Sequence, residues 1–191
     1  MNLANRLTLL RVIIVPFFVL FMCLGGVPLN YFWALVLFGA ASITDLFDGK
    51  VARKYNMVTN FGKFLDPLAD KILVAAALVC FTELGWTESW VTIVILAREF
   101  VVSGLRLAAA SGEKKVVIAA NMWGKIKTAS TMAAMVAVLA MHILSDNFGV
   151  LPAEFPVILI GKILMYISAV LTVISGIRYI YDYREYVDPS K

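Results

Sequence analysis

Six long apolar runs, broken by short polar or turn-forming stretches, organise the sequence. Residues 1–11 (MNLANRLTLLR) put Leu3, Leu7 and Leu10 at helical spacing with Asn5, Arg6 and Arg11 between them, the pattern of a short amphipathic helix lying at an interface. Val12–Leu24 is uncharged and ends at Gly25-Gly26-Val27-Pro28. The second run extends from Asn30 to about Arg53, apolar as far as Ile43 and then meeting Asp45. In the third, only 11 uncharged residues separate Lys71 from Glu83, too few to cross about 30 Å of hydrocarbon. That helix must start earlier, which puts Pro67 near its first turn and Asp66 and Asp70 on its opening turn. The fourth run (about Trp90 to Ala110) carries Arg98, Glu99 and Arg106, the fifth opens at Gly124 and is uncharged from Thr128 to Ser145, and the sixth spans about Phe155 to Tyr181.

This pattern predicts an all-α integral membrane protein: six transmembrane helices after a short interfacial helix, in one domain covering residues 1–191. Basic residues orient it. The breaks after runs one, three and five contain no Lys or Arg, whereas the amino terminus, the breaks after runs two and four and the tail hold nearly all of them. By the positive-inside rule both termini and Asp45–Asp70 face the cytoplasm, in a multi-pass protein of the cell membrane.

Composition agrees: 61% of the 191 residues are hydrophobic and 16% charged, against about a quarter charged in soluble domains. The formal net charge of +4 sits beside apolar segments, which favours anionic lipid or an anionic substrate over nucleic acid. Cys23 and Cys80 lie in apolar runs and read as packing residues. His142, the single histidine, falls toward the far end of the fifth run, remote from the acids. Trp33, Trp86, Trp90, Tyr179, Tyr181 and Tyr183 read as interface anchors.

The chemistry concentrates in DLFDGKVARKYNMVTNFGKFLDPLAD, residues 45–70. Asp45 and Asp48 are i, i+3 and Asp66 and Asp70 are i, i+4, so on helices each pair shares a face. Acids at such a depth need a wet cavity or cations, and two carboxylate pairs make a site for hard divalent ions, as in two-metal phosphoryl transfer. Cation transport is the competing reading. All four acids fall at one surface, whereas transport sites lie near mid-bilayer.

The pattern Asp45-x2-Asp48-Gly49-x2-Ala52-Arg53-x8-Gly62-x3-Asp66-x3-Asp70 resembles the signature of the CDP-alcohol phosphotransferases, with no position departing from it. Asn5-x2-Thr8-x2-Arg11, Arg98-Glu99-Phe100, Gly104-Leu-Arg106 and Gly124-Lys-Ile-Lys-Thr128 are similar to the branch of that family whose acceptor is sn-glycerol 3-phosphate. The resemblance implies transfer of the phosphatidyl group of CDP-diacylglycerol to that acceptor with release of CMP. It also implies two Mg²⁺ or Mn²⁺ ions on Asp45, Asp48, Asp66 and Asp70, with Asp70 as general base, and a homodimer. Asp45, Gly49, Ala52, Arg53 and Gly62 would surround the nucleotide. Arg106, Lys125, Lys127 and Arg178, at the cytoplasmic ends of runs four to six, would bind the acceptor's phosphate. Serine, inositol, inositol phosphate or phosphatidylglycerol as acceptor is the alternative within the family. Arg98 beside Glu99 fits a structural ion pair and a lipid-phosphate contact equally well, and Thr8 and Arg11 would fix the lead-in to the site or to a headgroup.

Overall fold

A computed structural model describes residues 3–55, 60–111 and 122–183, the side chains of 3–7, 45–55, 60–68, 70 and 108–111 lying outside that description. Among the described residues every regular element is helical: α1 (Leu3–Cys23), α2 (Asn30–Tyr55), α3 (Asn60–Glu83), α4 (Ser89–Ser111), α5 (Met122–His142), a π-helical turn (Ile143–Asn147) and α6 (Val157–Asp182). α1 packs on α2 and α3, α5 on α6, and α4 on α6, while contacts of α2 with α5 and of α3 with α4 join the groups.

Two boundaries differ from the sequence pattern. The amphipathic lead-in is not a separate helix: α1 runs unbroken from Leu3, with Thr8 and Arg11 both buried. A contiguous helix satisfies its own backbone, so the chain gains nothing by breaking at Arg11. α3 begins at Asn60, so Pro67 lies two turns inside it, and Asp66 and Asp70 stand in its second and third turns. Proline lies inside a helix there as Pro16 does inside α1, which membrane helices tolerate more readily than soluble ones.

The helices are apolar outside, and inside, small and hydroxyl-bearing residues share the core with large apolar ones such as Phe18, Phe38 and Phe81. On α6 the buried line is Val157, Gly161, Met165, Ser168, Ala169, Thr172, Ser175, Gly176 and Tyr179, a seam in three- and four-residue steps. Ile158, Leu159, Ile163, Ile167, Val170 and Ile177 of the same helix are exposed. Small residues let helix backbones approach closely: a Cβ on Gly161 would sit 3.5 Å from Val138 Cγ2 of α5. Contiguous exposed aliphatic surface of this kind is rare on soluble proteins and is what lipid solvates. The segments Met122–Asn147 and Val157–Asp182 are long and apolar enough to cross a bilayer, and Thr8–Cys23 and Asn30–Thr44 are shorter apolar stretches.

One end of the bundle is stitched by aromatic rings. α3 stops in a Schellman turn: Trp86 N–H donates to Phe81 O at 2.8 Å, Gly85 N–H to Thr82 O at 3.1 Å, and Gly85 takes φ +72°. The accompanying apolar contact is Trp86 on Phe81, ring centroids 5.1 Å apart. The other side of Trp86 stacks on His142 at 3.6 Å and 8°, and Tyr31 meets the indole edge-on at 5.0 Å. His142 Nδ1 lies 2.9 Å from Asp146 in the π-helical turn, and Asn147 Nδ2 donates to Asn30 Oδ1 at 3.1 Å. Trp86 and Tyr179 are thus buried packing residues rather than interface anchors, because each has a polar tip or ring face with a partner inside.

Gly85→Ala should destabilise the protein in detergent by about 1 kcal/mol, because a Cβ there meets no atom within 4 Å and only the left-handed backbone is penalised. Gly39→Ala, inside α2 and equally open, should be neutral or stabilising. Thermal unfolding of both variants checks the pair.

Candidate functional site

The signature falls on two consecutive helices, both packed on α1. Asp45, Asp48, Gly49, Ala52 and Arg53 lie in the carboxy-terminal half of α2, and Gly62, Asp66 and Asp70 in the amino-terminal half of α3. The helical backbone keeps each acid pair at one-turn spacing. The side chains of all eight residues lie outside the described set.

One residue past Asp70, Lys71 lines a cleft of about 50 Å³. Lys71 and Val74 of α3, Glu99 and Phe100 of α4, and Lys127 and Thr128 of α5 are among its lining residues. Its centre is a carboxylate shared between cations. Glu99 Oε1 accepts from Lys127 Nζ and, at 3.1 Å, from Arg98 Nη1. Lys127 is 2% exposed, so its charge sits where an unpaired ion is costly. Arg98 Nη2 donates to Ser175 Oγ of α6 at 2.8 Å. Gly176 gives the guanidinium stem its room, since a Cβ there would lie 3.1 Å from Arg98 Cγ.

Below the cleft hydroxyls continue the network. Thr131, one turn from Lys127, donates to Lys127 O at 3.0 Å and shares a 2.7 Å hydrogen bond with Ser168 Oγ. Thr172 Oγ1 donates to Ser168 O at 2.7 Å. Three helices therefore fix the ammonium: α5 carries it, α4 supplies its counter-ion, and α6 ties down both.

The four cations assigned to acceptor phosphate separate in the structure. Lys127 is in the cleft, whereas Lys125, two residues away and so on another face of α5, is exposed. Arg106 Nε donates to Tyr179 Oη at 2.9 Å. Arg178 is exposed, with its guanidinium 5.7 Å from the Trp123 ring centroid. Arg98 and Glu99, left open between two roles by the sequence, form an ion pair. The sequence pattern gave Lys71 no role beyond its place at the end of the stretch Gly62–Lys71, and the Thr131, Ser168 and Ser175 hydroxyls were missed. Their signal is there in retrospect: polar groups at four-residue steps within apolar helices.

Removing Lys127 takes one of its two hydrogen-bonding cations from the half-buried Glu99 carboxylate. Lys127→Met should therefore cost about 2–4 kcal/mol of stability, and Lys125→Met no more than about 0.5 kcal/mol. Chemical unfolding in mixed micelles compares the two.

Residues 1–174 match the model of the CDP-alcohol phosphatidyltransferase family. A Bacillus subtilis (strain 168) protein named CDP-diacylglycerol–glycerol-3-phosphate 3-phosphatidyltransferase is 40% identical over 190 residues, covering 93% of each chain. A Mycobacterium tuberculosis protein named probable phosphatidylglycerophosphate synthase is 41% identical over 183 residues, 94% of this chain and 80% of the relative. A Rickettsia bellii protein with the same name as the Bacillus one is 38% identical over 185 residues, 97% of each.

Proposed function

Since the chain belongs to the CDP-alcohol phosphatidyltransferase family, we propose that it is the membrane enzyme that transfers the phosphatidyl group of CDP-diacylglycerol to sn-glycerol 3-phosphate. The products are phosphatidylglycerol phosphate and CMP. The observation that carries this reading is near full-length similarity to relatives so named in a chain whose aspartate signature is intact. The buried cationic cleft beginning one residue beyond Asp70 favours a phosphorylated acceptor over serine or inositol.

Asp45, Asp48, Asp66 and Asp70 are a hard oxygen donor set on paired helical turns, suited to two Mg²⁺ or Mn²⁺ ions. Bound there, such ions neutralise the pyrophosphate and the charge developing on phosphoryl oxygens. Asp70 accepts the proton of the glycerol C1 hydroxyl as that oxygen bonds to the lipid-linked phosphorus. The bond from that phosphorus to the oxygen of CMP breaks, and CMP departs with the electron pair. Gly49, Ala52 and Gly62 leave space for the cytidine, with Asp45 and Arg53 on the nucleotide. Lys127 binds the acceptor's phosphate from within the cleft, while Lys125, Arg106 and Arg178 draw the anion to the same surface. Reaction at a membrane face needs positioning and charge more than covalent chemistry from the protein.

The architecture that serves this reaction is one domain, residues 1–191, with six membrane-crossing helices and both termini and the active site on the cytoplasmic side of the cell membrane. It works as a homodimer. Basic residues concentrated at one set of helix ends support that orientation.

CMP release from CDP-diacylglycerol, measured with a panel of alcohols, should be fastest with glycerol 3-phosphate. Preference for serine, inositol or phosphatidylglycerol would reassign the acceptor. EDTA should stop turnover, and Mg²⁺ or Mn²⁺ should restore it. Asp70→Asn should lower kcat by at least about 10²-fold while CDP-diacylglycerol binding persists, and a near wild-type rate would remove Asp70 as the base.

A further inference from the structure

Glu99 is an acid inside a site for anions, and its presence needs a reason. Among the described residues, both cations that touch its carboxylate, Lys127 and Arg98, meet the same oxygen, Oε1. The residue lines the cleft together with Lys71 and Lys127. A carboxylate so placed repels an incoming phosphate, so its place in the cleft points to work done on its neighbours. The Lys127 side chain is a flexible four-carbon stem carrying a point charge. Held by Glu99, its ammonium is fixed at the cleft wall, and the second cation, Arg98, keeps the trio net positive. Arg98 is itself fixed, through Ser175 of α6 and by the fit of its stem against Gly176.

We propose that Glu99 is a positioning residue for acceptor binding. It holds the Lys127 ammonium in the cleft, with Arg98 and Ser175 as its anchor, so that the acceptor's phosphate meets a pre-set cation instead of a mobile one. The inference rests on the proposed use of this cleft for glycerol 3-phosphate. Pre-organisation of this kind strengthens binding by removing the cost of ordering the side chain. Its mark is an effect on the acceptor that passes through Lys127.

Steady-state CMP release in mixed micelles, with each substrate varied in turn, tests this on Glu99→Gln, Glu99→Asp, Lys127→Ala and the Glu99→Gln/Lys127→Ala double variant. Glu99→Gln should raise the acceptor KM about tenfold and leave the CDP-diacylglycerol KM within about twofold. Glu99→Asp, which keeps the charge, should recover most of the loss. In the Lys127→Ala background Glu99→Gln should add less than about twofold, because its effect has no ammonium to act on. The inference is overturned if active wild-type enzyme and Glu99→Gln share the same acceptor KM, or if the two substitutions multiply. It is equally overturned if both KM values rise together with a fall in thermal stability that Glu99→Asp does not reverse, which would make Glu99 a folding residue only. Wild-type protein that releases no CMP with glycerol 3-phosphate defeats the proposed reaction, and this inference with it.

Discussion

The shared carboxylate of Glu99 is the contact on which the architecture around the cleft depends. Lys127 and Arg98 place two positive charges deep among apolar helices, and an isolated ion there costs several kcal/mol. Among the described residues, Glu99 is an acid that pairs with both. Its position on α4 requires α5 to present Lys127 toward it and α6 to come close enough for Ser175 to take Arg98. The helix packing around the cleft is therefore fixed by charge as well as by shape. Hydrophobic burial alone gives helices in lipid little reason to prefer one rotation over another.

That constraint explains why α6 reads as it does. Gly161, Ser168, Thr172, Ser175 and Gly176 occupy the buried seam, while the large aliphatics point outward. Met165 and Tyr179 are bulky and inward on the same helix, but a bulky residue at Ser175 or Gly176 would push α6 away from α4, and Arg98 would lose both its hydroxyl partner and the space over Gly176. Thr131 and Ser168 do the same for α5, answering each other across the interface at 2.7 Å. Small size permits the approach, and the hydroxyls then use it.

Much of this was legible in the chain. Apolar run length located the helices to within a few residues, because lipid demands a length that sequence cannot disguise. The aspartate spacing predicted helices through both acid pairs, and both pairs fall within helices. Two boundary errors share one cause, reliance on local polarity: Arg11 and Pro67 looked like ends, yet α1 and α3 continue through both. What stayed hidden was tertiary. Nothing local distinguishes Lys125 from Lys127, but one is exposed and the other buried on Glu99. Likewise Trp86 and Tyr179 carry the composition of interface anchors, and only their partners, His142 and Arg106, reveal them as interior.

The two ends of the bundle divide the labour. Lys127 and His142 belong to one helix and stand 15 residues apart, roughly 22 Å at the α-helical rise. At the His142 end rings and a hydrogen bond join α2, the turn after α3 and the end of α5, the Schellman turn closes α3 against them, and Lys162 of α6 pairs with Glu88 at 2.7 Å. At the Lys127 end the interactions are ionic and line a cleft. The stacked indole and imidazole hold the turn after α3 against the end of α5 without using any of those charges. Under the proposed reaction, the net positive trio of Lys127, Arg98 and Glu99 can then take a further anion while the helices stay held from the other end.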